Sequence, residues 1–433
     1  MSRVAVIGTG YVGLTTGACL AHLGHDVVCA DIDEAKIAGL QKGRIPIFEQ
    51  GLEQLVAEGL EARRLHFVVG AAQAVTRARA EFVFLCVQTP QGVDGAPDLR
   101  FVEEASAAVA PALTAGAVVI TKSTVPVGSA RVVERALGRA DVAVVSNPEF
   151  LLEGQAVHDC LNPDRVVIGC EDQAAAARVA ALYQGLNAPV MVTDPATAET
   201  IKYACNAFLA TKVSFINAIA NLCQAVGADV RDVVLGMGYD KRIGFEFLKP
   251  GPGWGGSCFP KDTRALVCIA EGAGYDFELL KGVIAVNDQQ FQLLAERIQG
   301  LAGGSLLGVR VAVWGLTFKA GTDDLRESPA VSVVERLAER GAVLAGFDPT
   351  VKRSRPRPAQ LETVDIEVCD DPYAACAGAA VLVVLTEWDE FRWLDFDKVA
   401  GAMASPVILD ARNLLDPASL RRRGFQYQGM GRK

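Results

Sequence analysis

Val4-Ala5-Val6-Ile7-Gly8-Thr9-Gly10-Tyr11-Val12-Gly13 decides how the rest of the chain is read. A short apolar run breaks into glycines spaced Gly-x-Gly-x-x-Gly, and a helical pattern then continues to about Leu23. Gly24 ends that helix, Val27 to Ala30 reads as a second strand, and Asp31 stands at its C-terminal end, 18 residues past Gly13. Strand, glycine turn, helix, strand and acid together make a dinucleotide fingerprint. Gly8, Gly10 and Gly13 allow the tight turn and the approach of a pyrophosphate to the helix N-terminus, where Tyr11 and Val12 begin the helix. Asp31 can accept hydrogen bonds from ribose hydroxyls, and a carboxylate there repels a 2′-phosphate, which favours NAD over NADP. Lys36, one turn into the next helix, is either an ordinary solvated lysine or a neighbour of that ribose.

The same logic runs outward. Phe82 to Val87 is a buried strand by its apolar run and ends in Gln88-Thr89-Pro90; Val118 to Ile120 ends in Lys122-Ser123-Thr124-Val125-Pro126. In an open α/β sheet a ligand lies outside the carboxyl ends of the strands, so Thr89, Ser123 and Thr124 should line a cofactor crevice. Val142 to Val145 runs into Asn147-Pro148-Glu149-Phe150-Leu151-Leu152-Glu153, whose two carboxylates suggest either a polar site or a solvated helix start.

From Thr197 to about Ala225 there is no Pro or Gly for 29 residues, and the apolar periodicity is helical throughout. A helix of that length suggests a spine between flanking domains and a surface for a second subunit. Lys202 and Asn206, four apart, project from one face of it. After about Gln299 a strand-and-helix pattern begins again. Val309 to Val313, Ala342 to Phe347, Ala380 to Leu385 and Pro406 to Leu409 read as strands, with Lys319, Arg326 and Arg412 near strand ends, where cations suit a phosphate. The expected fold is therefore α/β: two Rossmann-like, doubly wound parallel-sheet domains joined by a helical domain with one long central helix. The boundaries are expected at 1–196, 197–300 and 301–433.

Between the long helix and the second nucleotide-type domain lies Gly253-Trp254-Gly255-Gly256-Ser257-Cys258-Phe259-Pro260-Lys261-Asp262. Glycines permit close approach of another molecule, and Pro260 suits the first turn of a helix starting at the cysteine. Such a start, with Lys261 nearby, favours thiolate over thiol, and so a nucleophile. The bland alternative is a glycine loop closing over an inert cysteine.

Composition narrows the class. At 433 residues the chain is too long for one core, and 51% apolar residues with only 7% aromatic suit helix-covered sheets. The net charge of −9 argues against nucleic acid or an anionic membrane as the main partner. No apolar run is expected to reach the ~18 residues of a membrane span. Eleven cysteines without a Cys-x-x-Cys pair, and four histidines without metal-ligand spacing, point to reduced thiols in the cytoplasm and no structural zinc.

Taken together, Gly255 to Asp262, Ile201-Lys202-Tyr203-Ala204-Cys205-Asn206-Ala207-Phe208, Asn147 to Leu151 and Lys122-Ser123-Thr124-Val125-Pro126-Val127-Gly128 resemble the UDP-glucose/GDP-mannose dehydrogenase family, from Val4 to Asn413. The resemblance implies a homo-oligomeric enzyme that oxidises a sugar-nucleotide alcohol twice with NAD, passing through a thiohemiacetal and a thioester on Cys258. UDP-glucose is the implied substrate, with GDP-mannose or a UDP-N-acetylhexosamine as alternatives and a retired, non-catalytic binding protein as a remoter one. It implies further that Lys202 steadies an oxyanion or moves a proton, that Asp262 assists as base, and that Thr124, Glu153 and Asn206 position water and substrate oxygens. NAD would be held through Gly8 to Gly13, Asp31, Lys36, Thr89, Thr124, Glu153 and Arg326. The sugar nucleotide would be held through Glu149, Phe150, Leu151, Glu153, Lys202, Asn206, the loop with Phe247, Leu248, Lys249 and Gly255, and Lys319 and Arg412. Arg242 resembles the arginine that reaches across a dimer interface. Gln88 departs from the family, which commonly carries a smaller residue beside the nicotinamide.

Overall fold

The structure is a computed structural model describing residues 1–92, 97–353 and 357–432. The chain divides into two compact units, Met1–Cys205 with Arg264–Gly274, and Asn206–Thr263 with Tyr275–Lys433.

The first unit is built on an eight-stranded sheet of β1 (Arg3–Ile7), β2 (Asp26–Asp31), β3 (Leu65–Val69), β4 (Phe82–Leu85), β5 (Val118–Thr121), β6 (Ala143–Ser146), β7 (Val166–Gly169) and β8 (Val190–Thr193). Their spatial order is β3-β2-β1-β4-β5-β6-β7-β8. Val4 of β1 pairs in parallel with Val27 on one side and Phe82 on the other. Only the single β6–β7 pair, Ser146 with Gly169, is antiparallel among the described strands. The near-continuous apolar runs follow from covering both faces. Val4 and Val6 enter one core cluster while Ala5 and Ile7 enter another on the opposite face, as the strand period of two requires.

The second unit carries a six-stranded parallel sheet of β9 (Arg310–Trp314), β10 (Val343–Phe347), β11 (Ile366–Cys369), β12 (Val381–Val384), β13 (Val407–Asp410) and β14 (Gln426–Gly429), ordered β11-β10-β9-β12-β13-β14. Val311 and Val313 again face one cluster, Ala312 and Trp314 the other. The two parallel-sheet domains expected from sequence are present. Five of the strands were not anticipated (β3, β7, β8, β11 and β14), and four of these are the edges of the two sheets, among them the largely exposed β8 and the mostly polar β14, Gln-Tyr-Gln-Gly.

The long helix runs Pro195–Val226, with residues to Cys205 in the first unit and those from Asn206 in the second. Pro195 is placed where a missing N–H costs nothing, and Asp194 accepts from the Thr197 amide at 2.9 Å and hydroxyl at 2.6 Å. Gly227, at φ 73°, ends the helix as the Ala228 amide reaches back to Cys223 O at 2.9 Å. By length and composition alone this helix is long and apolar enough to cross a membrane, which corrects the expectation that no stretch would be. Its polar side chains bond to protein: Glu199 to the Gly128 and Ala130 amides, Ser214 to Val283 O, Asn217 to the Gly251 amide.

Candidate active site

In the first unit the glycine turn sits between β1 and the helix Tyr11–His22. Gly8 has φ 97°, and a side chain there would strike Cys86 O; one on Gly13 would strike Gly8 O. Gly10, the N-cap, has nothing within 4 Å of an added Cβ, which leaves the helix N-terminus open to an anion. Asp31 accepts from the Thr9 amide at 3.0 Å, the Thr9 hydroxyl at 2.6 Å and Lys36 Nζ at 2.8 Å. Lys36 is thus a partner of Asp31 rather than a free surface lysine. Burial works to raise the Asp31 pKa, but the bonds from Lys36, Thr9 and Asp33 outweigh it and hold the carboxyl below its ordinary range. A cleft of about 550 Å³ is lined by Gly8, Gly10, Asp31, Lys36, Val87 and Gln88, among others, at the point where strand order reverses between β1 and β4. Open glycine, helix end and ribose-height carboxylate fit NAD. Gln88 lines this cleft with an exposed side chain, so the departure lies at its rim.

The ends of β4 and β5 are tied together. Thr89 Oγ1 donates to Thr124 O at 2.9 Å, and Ser123 Oγ to Val87 O at 2.5 Å. At the end of β6, Glu149 accepts from Lys202 Nζ at 2.9 Å and from the Leu151 amide at 2.6 Å. Phe150 carries the Arg165 guanidinium over its ring at 3.7 Å and Lys202 Nζ at 5.5 Å. Beyond the half-buried Glu153, the segment turns into the helix Ala156–Leu161. Sequence reasoning passed over Glu49, which accepts from the Gly154 amide at 2.7 Å, the Ala156 amide at 2.8 Å and the Tyr11 hydroxyl. An isolated glutamate in a loop gave no signal, since every partner is remote in sequence.

In the second unit Cys258 precedes the helix Phe259–Gly272, and its carbonyl accepts from the Asp262 amide at 2.9 Å. The half-buried thiol therefore stands at the positive end of a helix, with Ser257 Oγ 3.5 Å from its sulfur. Asp262, 1% exposed, binds Lys261 Nζ at 2.6 Å with one oxygen and Asn206 Nδ2 at 2.6 Å with the other. The glycines ahead of the cysteine serve the chain's own packing as well as any ligand. A side chain on Gly255 would strike Glu327 O, and Gly256, at φ 83°, lies against the Phe318 ring. Trp254 is pinned by Asn287 at its amide and Ser214 at its indole, each at 2.8 Å.

Arg412, after β13, donates to Leu385 O at 2.8 Å and Phe318 O at 3.0 Å, joining the ends of β12 and β9 where the second sheet's order reverses. It also pairs with Glu387 at 2.9 Å and lies against Gly251 of the loop. Lys319 stands over the Phe318 ring at 5.5 Å. Leu248 is buried, Lys249 exposed, and Phe247 takes φ 59° with its ring 6.3 Å from that of Phe259. Arg326 and Arg242 are held by Asp324 and Asp240, each at 2.6 Å, and both remain largely exposed. No cluster of three or more His, Cys, Asp or Glu is placed to hold a metal among the described residues.

Comparison with known proteins adds the following. Three domain models of the UDP-glucose/GDP-mannose dehydrogenase family match the chain: the NAD binding domain over residues 2–187, the central domain over 196–289 and the UDP binding domain over 312–417. A UDP-glucose 6-dehydrogenase of Rhizobium meliloti is 46% identical, over 99% of each chain. The solved structure of a UDP-glucose dehydrogenase from Pyrobaculum islandicum is similar at TM-score 0.91 and 36% identity, covering 100% of this chain and 98% of that one. That of a UDP-D-ManNAc dehydrogenase from Pyrococcus horikoshii is similar at TM-score 0.87 and 28% identity, covering 99% of each.

Proposed function

The chain belongs to the UDP-glucose/GDP-mannose dehydrogenase family, and from that premise we propose that it is an NAD-dependent UDP-glucose 6-dehydrogenase that makes UDP-glucuronate. The observation that carries the chemistry is Cys258 at a helix N-terminus, four residues before a buried Asp262 that is held from both sides. A single alcohol oxidation has no use for a thiol. When bound, NAD would supply the hydride acceptor for each oxidation. Cys258 sulfur adds to the aldehyde carbon to give a thiohemiacetal, whose oxidation leaves a thioester; water then displaces the thiol and releases the acid.

Lys202, paired with Glu149, is a fixed cation suited to an oxyanion or a proton in transit. Asp262, bridging Asn206 and Lys261, orients Asn206 and offers a base. Thr124 and Glu153 position water and substrate oxygens. Arg412, Lys319 and the loop from Phe247 to Gly255 hold the diphosphate and uridine. UDP-glucose is preferred over an N-acetylated sugar by the higher identity to the glucose enzymes, 46% and 36% against 28%.

The protein is further proposed to be a homodimer. Phe208, Phe215 and Leu222 recur every seven residues on the long helix and are 65%, 50% and 55% exposed, an apolar stripe that a second copy would cover, with Arg242 reaching across. A cytoplasmic location is supported by eleven thiols without a disulfide.

The test is stoichiometry. Wild-type protein should release two NADH per UDP-glucuronate formed, and Cys258→Ala should stop short of the acid. Acid made at the wild-type rate by Cys258→Ala would sink the mechanism, and faster turnover of a UDP-N-acetylhexosamine than of UDP-glucose would overturn the substrate.

A further inference from the structure

Glu49 is a buried carboxylate, 7% exposed, that has no Lys, Arg or His partner among the described residues. Burying an uncompensated charge is costly unless donors surround it. Here they do, and all come from two places. One oxygen takes the Ala156 amide at 2.8 Å; the other takes the Gly154 amide at 2.7 Å together with the Tyr11 hydroxyl. The Gly154 amide lies at 2.7 Å from the Tyr11 oxygen as well, which closes the network on itself.

Both places matter for binding. Tyr11 is the first residue of the fingerprint helix, directly after the open Gly10. Gly154 and Ala156 follow Glu153 and end the segment that begins at Glu149, whose own carboxylate holds Lys202. Four amides of this segment are satisfied by carboxylates rather than by a ladder: Leu151 by Glu149, Leu152 by Asp159, Gly154 and Ala156 by Glu49. Its path is therefore set by a few carboxylates, and one of them is also fastened to the dinucleotide helix. Burial, and then the Glu49 anion, push the Tyr11 phenol above its ordinary value, so it stays a donor throughout the working pH range.

We infer that Glu49 is a positioning residue that couples the two binding sites, holding the sugar-nucleotide segment 149–156 in register with the first turn of the dinucleotide helix through Tyr11. The inference rests on the dehydrogenase reading, because it takes that segment to be part of the substrate site. Ordering of either side by its ligand settles the shared carboxylate for the other, and by linkage the effect is reciprocal. The pairing has no role in the chemistry itself, so its loss acts on binding more than on turnover.

The test uses Glu49→Gln, which keeps the shape and removes the charge, and Tyr11→Phe, which removes one donor. NAD binding is titrated by calorimetry with and without UDP-glucuronate, the unreactive product, and KM and kcat are measured for NAD and UDP-glucose. In wild type UDP-glucuronate tightens NAD. In each variant that tightening falls toward onefold, and both KM values rise about tenfold, the effect of losing a hydrogen bond to a charged group, while kcat changes less. The double variant is no worse than Glu49→Gln alone, since the two changes break one interaction. Rescue of the KM values by Glu49→Asp relative to Glu49→Gln would mark the charge as the cause. Variants that match wild type in coupling and in both KM values, or that lose thermal stability alone, overturn the inference, as does a wild type in which the ligands bind independently. A wild type that oxidises no UDP-sugar is a different failure, that of the dehydrogenase reading.

Discussion

Lys202 donates a 2.9 Å hydrogen bond to Glu149, and the two side chains are only 4% and 5% exposed. Burial raises the Glu149 pKa, but the Lys202 charge, the Leu151 amide and the Lys202 hydrogen bond outweigh it and leave the carboxyl below its ordinary value. A depressed carboxyl contributes stability that is present above the unfolded glutamate value, about 4.3, and lost as pH falls through the folded one. Glu149→Gln should therefore cost about 3 kcal/mol at pH 7, because it takes the paired carboxylate away from a buried ammonium. It should also flatten the acid limb: in urea unfolding, wild type loses more stability than the variant on descending below about pH 4. Equal losses in the two proteins would mean that the pair is already neutral or solvated.

Asp262 gives one oxygen to Asn206 and the other to Lys261, both at 2.6 Å. Asp262→Asn can still meet one of these donors and must turn its amide toward the other. The expected loss is about 100-fold in kcat, the usual scale for a positioned acid–base group, with a smaller change in the KM for UDP-glucose. Steady-state kinetics separates the two. A rise in KM with kcat unchanged would reassign Asp262 to substrate binding.

How far the sequence carried depended on whether partners lie close along the chain. Gly8 to Gly13 with Asp31, the run into Cys258, and Lys202 with Asn206 are local patterns, and each was legible because turn, helix start or helix face is set by neighbouring residues. Glu49 was not, since it meets Tyr11 and Gly154 across 38 and 105 positions, a closeness that only the folded sheet creates. The same holds for the role of Gly255. In sequence this glycine offers room for a ligand, whereas the space is filled by Glu327 O, 72 residues on in a different element. The unanticipated strands at sheet edges failed for another reason. β8 reads Val-Met-Val-Thr and is largely exposed, so neither burial nor alternation marks it.

Asp31 is an ion held by Thr9 and Lys36 at the end of β2. Replacing it by Ser removes the carboxylate that repels a 2′-phosphate and releases Lys36 to bind one. Asp31→Ser should lower kcat/KM for NAD about tenfold and raise that for NADP, so that the preference narrows by on the order of 100-fold. Parallel assays with the two cofactors read the ratio directly. An unchanged ratio would place the discrimination elsewhere in the cleft.

Phe215 lies at the middle of the exposed stripe on the long helix, with Phe208 and Leu222 seven residues to either side. If a second copy covers this stripe, a charge there must be buried without a partner, at a cost of several kcal/mol per subunit. Phe215→Glu should sediment as a monomer at micromolar concentration, where the wild type sediments as a dimer. A dimeric variant would move the interface to another face.

Gly255 tests what the glycines before Cys258 are for. An added methyl would strike Glu327 O and approach Pro329 Cδ to 2.7 Å, and backbone cannot move aside as a flexible side chain would. Gly255→Ala should then destabilise the second unit by about 1–3 kcal/mol even without ligand, and pull the cysteine loop away from its anchors at Trp254. Were the glycine needed only for a ligand's approach, the same substitution would leave the unliganded melting temperature untouched and weaken UDP binding alone. Differential scanning calorimetry of the free protein, followed by titration with UDP, distinguishes the two. The packing argument requires the melting temperature to fall first, with Cys258 chemistry impaired as its consequence.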